Sequence, residues 1–85
     1  MSERDLGIGI IKQALRDATI STDNFIRRDG RNFLRGSTQS WLESLHDVCA
    51  LAGLNPYKIR KKALEWDKYG WPSTKYINRL IKEIY

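Results

Sequence analysis

The stretch 47-DVCALAGLNPYKIRKKALEW-66 joins an apolar run to a basic one across a glycine and an Asn-Pro pair. Gly53 suits the left-handed turn that ends a helix, and Asn55 can cap the helix that follows. Pro56 at the first helical position loses no hydrogen bond, because the backbone N–H at that position would have no helical partner. The stretch therefore predicts two helices joined by a tight corner.

The spacing across this corner matches a helix-turn-helix. Cys49 is a small residue that faces the partner helix, Gly53 is the turn, and Ile59 is an apolar anchor in the second helix. In a helix-turn-helix the second helix lies in the major groove of DNA, and its N-terminal residues reach the base edges. The pattern is of moderate specificity, because any short corner between two helices needs these residue types.

Apolar residues recur at helical spacing along nearly the whole chain, and the alternation typical of a half-buried strand is absent. A first helix is predicted from Glu3 to Ala18. Residues 21–24 offer caps for a second helix, weakened inside by Gly30, which Gly36 would end. The apolar residues of these two helices are Ile8, Ile10, Ile11, Ala14, Leu15, Ala18, Phe25, Ile26, Phe33 and Leu34.

The remaining helices complete an all-α domain. Ser40 and Glu43 form a capping box, so the third helix is expected to begin near residues 38–40 and to end at Gly53. A fifth helix is predicted from 74 to 85. The residues expected to face the core in the third and fourth helices are Trp41, Leu42, Leu45, Val48, Cys49, Ala52, Ile59, Ala63 and Trp66. The fifth helix carries the apolar residues Tyr76, Ile77, Leu80, Ile81 and Ile84. We expect residues 1–85 to form one small orthogonal bundle of about five helices with a helix-turn-helix-like corner.

Length and composition argue against most other classes of protein. A chain of 85 residues makes one modest core and leaves little room for a deep substrate cleft, so an enzyme is not expected. No apolar run approaches the roughly eighteen residues of a membrane span, which favours a cytoplasmic protein. His46 and Cys49 share a helix face, but two ligands without carboxylate support are too few for a metal. The sequence therefore predicts a buried thiol, no metal site and no cofactor.

The charge balance is basic, with a formal net charge of +5 and a pI near 9.6. Such a charge permits binding to a polyanion, although a helix with outward lysines is often only a solvated face. On the fourth helix the basic residues lie opposite the core stripe or on its flanks, and Leu64 lies among them. The residues predicted to contact DNA bases are Tyr57, Arg60 and Lys61, and those predicted to hold phosphates are Lys58, Lys62, Arg28 and Arg31.

Two runs, residues 28–34 (RDGRNFL) and 48–60 (VCALAGLNPYKIR), resemble a diffuse group of small phage- and prophage-encoded proteins. In that group an Arg-Asp-Ala-x-x-Trp/Phe-Leu element precedes a Cys-x-x-Ala-Gly-x-Asp/Asn-Pro-x-x-Val/Ile-Arg element. Here Gly30 replaces the usual alanine and Asn55 the commoner aspartate, and residues 66–85 have no counterpart. The resemblance implies a phage origin rather than an activity, because DNA binding in that group is itself inferred from the same corner.

Two hypotheses of different classes follow from the sequence. The first is a DNA-binding transcriptional regulator, which would dimerise to read a two-fold site through Leu64 and the helix 76–85. The second is a phage-encoded inhibitor that uses the same basic surface against a host protein such as a defence or CRISPR nuclease. An inhibitor need not dimerise.

Overall fold

Five α-helices lie within residues 2–84 of the chain, which is described here by a computed structural model. They are α1 (Glu3–Thr19), α2 (Asn24–Arg35), α3 (Gln39–Ala52), α4 (Pro56–Tyr69) and α5 (Thr74–Ile84). The structure describes residues 2–84, and of residue 74 and residues 81–84 it describes the backbone alone. Within that range no residue lies in a β-strand, so the predicted all-α class is confirmed. The side chains of Ile81, Ile84 and Tyr85, predicted for the fifth helix, lie outside the described residues.

Most helix ends lie where the sequence places them. The Asp23 carboxylate accepts hydrogen bonds from the backbone N–H groups of Phe25 and Ile26, at 2.8 and 3.1 Å. Gly36 and Gly53 end α2 and α3 in the left-handed conformation, with φ of 57° and 70°. These side chains and turns satisfy backbone groups that the first and last turns of a helix leave without partners.

The predicted capping box at the start of α3 is wrong. Thr38, not Ser40, is the cap, and its hydroxyl accepts a hydrogen bond from the backbone N–H of Trp41 at 3.2 Å. Because Ser40 already lies inside the helix, the Glu43 carboxylate does not reach back to its backbone. It accepts a hydrogen bond from the Gln39 side chain at 3.1 Å instead.

Helix α1 is central, since it packs against α2, α3 and α5, whereas α4 packs mainly on α2 and only lightly on α3. The buried core is formed by Ile11, Ala14, Leu15, Ala18, Phe33, Leu34, Leu45, Cys49, Ala63 and Ile77. Ile10, expected to widen the buried stripe of α1, is exposed, because the partners of α1 lie on the side of Ile11 and Leu15. Phe25 and Ile26 are also exposed.

Two glycines set how closely the partners of α1 can approach it. A β-carbon added at Gly7 would lie 2.6 Å from the backbone nitrogen of Ala52 in α3. One added at Gly30 in α2 would lie 2.9 Å from the Ala18 nitrogen and 3.0 Å from the Ala14 carbonyl oxygen. Both glycines, which weaken their helices by propensity alone, therefore sit at backbone-to-backbone contacts.

Three glycine-to-alanine substitutions test this packing. Gly7→Ala and Gly30→Ala should each lower the free energy of unfolding by about 1–3 kcal/mol, because the added methyl group forces a helix outward. Gly9→Ala is the matched control, since a β-carbon there meets nothing within 4 Å. It should instead raise the free energy of unfolding by about 0.5–1 kcal/mol. Urea denaturation followed by circular dichroism measures all three, and equal effects at the three positions would contradict the close approach.

Candidate nucleic-acid interface

The corner between α3 and α4 has the local structure that its sequence predicts. Cys49 is fully buried, and its carbonyl accepts hydrogen bonds from the backbone N–H groups of Gly53 and Leu54. The Asn55 side chain accepts a hydrogen bond from the Tyr57 N–H at 2.9 Å and so caps α4. Ile59 packs against the core. The corner thus holds one side of α4 against the bundle and presents the other to solvent.

The exposed side of the first two turns of α4 is positively charged. Residues 56–63 include four basic residues, Lys58, Arg60, Lys61 and Lys62, and no acidic residue. The three lysines are exposed, and none forms a salt bridge with an acidic side chain that the structure describes. Their charge is therefore left for a partner or for solvent.

The structure divides the predicted contact residues of α4 between two faces. Tyr57, Arg60 and Lys61 line a shallow outer groove together with Leu64, Glu65, Lys68 and Tyr69. Lys58 and Lys62 instead border an apolar cleft on the opposite flank, next to Ile59, Ala63 and Trp66. The outer side of α4 therefore has a central strip, formed by Tyr57, Lys61, Leu64 and Lys68. Lys58 and Lys62 lie on one flank of this strip and Arg60 lies on the other.

Tyr57 is held at the N-terminal end of α4 by a residue that the sequence did not single out for this role. Its ring meets the ring of His46 in α3 edge to face, with the centroids 5.2 Å apart and the planes at 89°. Such pairs stabilise a defined ring geometry. No sequence signal reveals this pair, because the contact depends on how the corner folds.

The side chain of Arg60 does not point freely into water but is bound to a neighbouring helix. Its Nε group donates a hydrogen bond of 2.9 Å to the Arg35 carbonyl oxygen, and the side chain is half-buried. Arg35 is the last residue of α2, where backbone carbonyls lack helical partners and favour a cation. Arg60 thus ties α4 to the end of α2.

Arg31 makes the equivalent contact at the end of α1. Its Nε group donates a hydrogen bond of 2.9 Å to the Ala18 carbonyl, and its guanidinium carbon lies 4.8 Å from the centroid of the Trp71 ring. Burial, and after it the neighbouring charge of Arg27, lowers the pKa of Arg31. Arg28, by contrast, is exposed and lies over the Phe25 ring. Of the two α2 arginines predicted to hold phosphates, Arg28 is the more accessible.

Aromatic and apolar side chains accompany the charges on α4. Leu64 is 44% exposed and Tyr69 is 79% exposed on the outer groove. No residue within the described part of the chain buries Leu64. Of the other surface predicted for dimerisation, Tyr76 is exposed and its ring lies 6.4 Å from that of Trp66.

Cys49 and His46 do not come together as a ligand pair. The Cys49 thiol lies in the core, where burial raises its pKa to about 11, while the His46 ring packs on Tyr57. No group of three His, Cys, Asp or Glu side chains that could hold a metal occurs among the described residues. The thiol has the environment of a packing residue.

No family model, curated protein or solved structure matches this chain. The resemblance of residues 28–34 and 48–60 to phage-encoded proteins therefore remains an expectation from the sequence. No helix in the described part of the chain combines the length and apolar character needed to cross a membrane.

Replacing Arg60 and Lys61 in turn separates the scaffold from the exposed surface. Arg60→Ala should lower the free energy of unfolding by about 1 kcal/mol or more, because it removes a charged donor from the carbonyl that ends α2. Lys61→Ala, one residue away on the exposed strip, should change it by less than about 0.5 kcal/mol. Thermal and urea unfolding of both variants give the comparison. An Arg60→Ala protein as stable as the Lys61→Ala protein would show that the bond to Arg35 contributes nothing.

Burial of Cys49 predicts a specific loss of stability at high pH. In the unfolded chain the thiol ionises near its ordinary pKa of 9.0, whereas in the folded protein it ionises near 11. Between these values the unfolded state binds fewer protons, so the free energy of unfolding falls as pH rises. The stability difference between wild type and Cys49→Ala should shrink over this range, because other titrating groups are common to both proteins. A difference that stays constant with pH would contradict the buried thiol.

Proposed function

We propose that this protein binds double-stranded DNA through the exposed side of α4 and acts as a small transcriptional regulator in a bacterial cytoplasm. One observation carries the proposal. The first two turns of α4 follow a tight corner, face solvent, and carry exposed lysines with no neighbouring acid on the helix before Glu65. This is the position from which the second helix of a helix-turn-helix enters the major groove.

The placement of the side chains suggests how the roles divide. Tyr57 and Lys61 lie on the central strip, where they would face base edges, and a lysine can donate to the guanine acceptors. Lys58 and Lys62 lie on one flank, where phosphates bordering the groove would be met. Arg60 uses one of its five N–H donors for the Arg35 carbonyl, which leaves four for DNA.

A second candidate is an inhibitor that binds a host protein, such as a defence nuclease. The observation that favours it is the exposure of Leu64 and Tyr69 on the same groove as Lys61 and Lys68. Aromatic residues are enriched at protein interfaces, and an exposed leucine among them suits a protein surface better than a phosphate backbone.

Duplex binding at several salt concentrations tests the proposal. Wild-type protein, Lys61→Ala and Arg79→Ala would be titrated with a fluorescently labelled mixed-sequence duplex between about 50 and 200 mM salt. If Lys61 contacts phosphate, its loss should reduce the slope of log affinity against log salt by about 0.9; if it reads a base, affinity for a selected site should fall by about 1–3 kcal/mol. Arg79, exposed on α5, is the control of equal charge and should leave both quantities unchanged.

The result that contradicts DNA binding is equally specific. Weak affinity shared by unrelated duplexes, with the same slope for wild type and both variants, would show that the charge of α4 is only a solvated face. A stoichiometric complex with one purified host nuclease, lost on Leu64→Lys, would then favour the inhibitor.

A further inference from the structure

Helix α3 lacks the residues that its place in the corner requires for DNA. In a helix-turn-helix the first helix of the motif crosses the sugar-phosphate backbone. Residues 39–52 of α3 contain no lysine or arginine, and Glu43 and Asp47 are both exposed on it. Two exposed carboxylates repel phosphate, so α3 is unsuited to hold the backbone.

The neighbouring helix α2 carries the opposite charge. Arg27, Arg31 and Arg35 follow one another at intervals of four residues, which places them along one side of the helix. The cation of Arg27 is close enough to lower the pKa of Arg31. Among the described residues, Asp67 is the one acid in a salt bridge with this row, at 2.9 Å from Arg35. The row therefore has more positive charge than its protein partners neutralise.

This side of α2 is continuous with the exposed side of α4. Arg60 donates to the Arg35 carbonyl at 2.9 Å, and Arg35 donates to Asp67 of α4 at 2.9 Å. Both contacts lie on the flank of α4 that is opposite Lys58 and Lys62. Packed helices have axes about 8–10 Å apart, comparable with the roughly 12 Å width of the major groove. A duplex seated on α4 would thus bring one backbone towards Lys58 and Lys62 and the other towards α2.

Two arginines of α2 are available for such a contact. Arg27 is half-buried and hydrogen-bonded to the Asn24 side chain, which is neutral and leaves the charge uncompensated. The Arg28 side chain is 64% exposed, and its closest acid, Asp29, is itself exposed at 3.9 Å. Arg31 is already hydrogen-bonded to the Ala18 carbonyl, and Arg35 already forms a salt bridge with Asp67.

We propose that Arg27 and Arg28 of α2 hold phosphates of the DNA backbone. They would take the role that the first helix of the motif has in helix-turn-helix proteins, a position that α3 occupies here. This inference rests on the proposed binding of DNA by α4. The duplex would be held on both flanks of α4, by Lys58 and Lys62 on one and by α2 on the other, so that the α2 contact fixes the angle at which α4 enters the groove. Phosphate contacts of this kind set orientation without reading sequence.

The test measures the salt dependence of binding for variants of α2. Arg27→Ala, Arg28→Ala and Arg79→Ala would be titrated with the same mixed-sequence duplex, and circular dichroism would check that each is folded. Arg27→Ala and Arg28→Ala should each reduce the slope of log affinity against log salt by about 0.9, and the double variant by about twice that. Arg79→Ala removes the same charge from α5 and should keep the wild-type slope. Arg27→Lys should retain the slope, because a lysine still neutralises a phosphate.

The outcomes separate this inference from the proposed function. If both α2 variants keep the wild-type slope while Lys61→Ala changes specific or salt-dependent binding, DNA binding by α4 stands and the α2 contact is wrong. If neither the α2 variants nor Lys61→Ala has any effect, the proposed function fails and the α2 contact fails with it. Equal losses for Arg79→Ala would show that only net charge matters, which would also overturn a defined α2 contact.

Discussion

Helix α1 can lie at the centre of the bundle because a glycine, rather than a larger residue, occupies two of its crossings with other helices. These glycines are Gly7 in α1 itself and Gly30 in α2. At Gly7 the backbone of α3 comes so close that a β-carbon would collide with Ala52, and at Gly30 the backbone of α2 reaches that of α1. Close approach lets the small residues Ala14, Ala18 and Ala52 be buried between the helices. Since α4 packs mainly on α2, the position of the candidate interface depends on the crossing at Gly30.

Two arginines join neighbouring helices by binding backbone carbonyl groups at helix ends. Arg31 binds the carbonyl of Ala18 near the end of α1, and Arg60 binds that of Arg35 at the end of α2. Each contact gives a hydrogen-bond partner to a helix end and places a cation where the helix dipole favours one. The basic composition of the chain is therefore partly structural. Arg31 and Arg60 keep their charge, but each uses part of its hydrogen-bonding capacity within the fold.

The charged side chains outside these contacts are distributed unevenly over the surface. The exposed lysines of α4 and the accessible arginines of α2 lie on two helices joined by Arg35, Arg60 and Asp67, whereas α3 is acidic. An extended basic surface beside an acidic helix would orient an approaching polyanion as well as attract it. Leu64 and Tyr69 are exposed within that surface, where they could pack against a protein partner but would add little to contacts with a phosphate backbone.

The sequence by itself determined the helices, their order and the corner, because periodicity, caps and left-handed glycines act over a few residues. Asp23, Gly36, Gly53 and Asn55 occupy the places that their local chemistry indicates. Only the tertiary structure decided that Gly30 is a packing contact and that Arg31 and Arg60 are tied to helix ends. Those outcomes depend on residues up to 25 positions apart in the chain. Local spacing places a side chain on a face of its helix, but the carbonyl or ring that it meets there is fixed by how the helices cross.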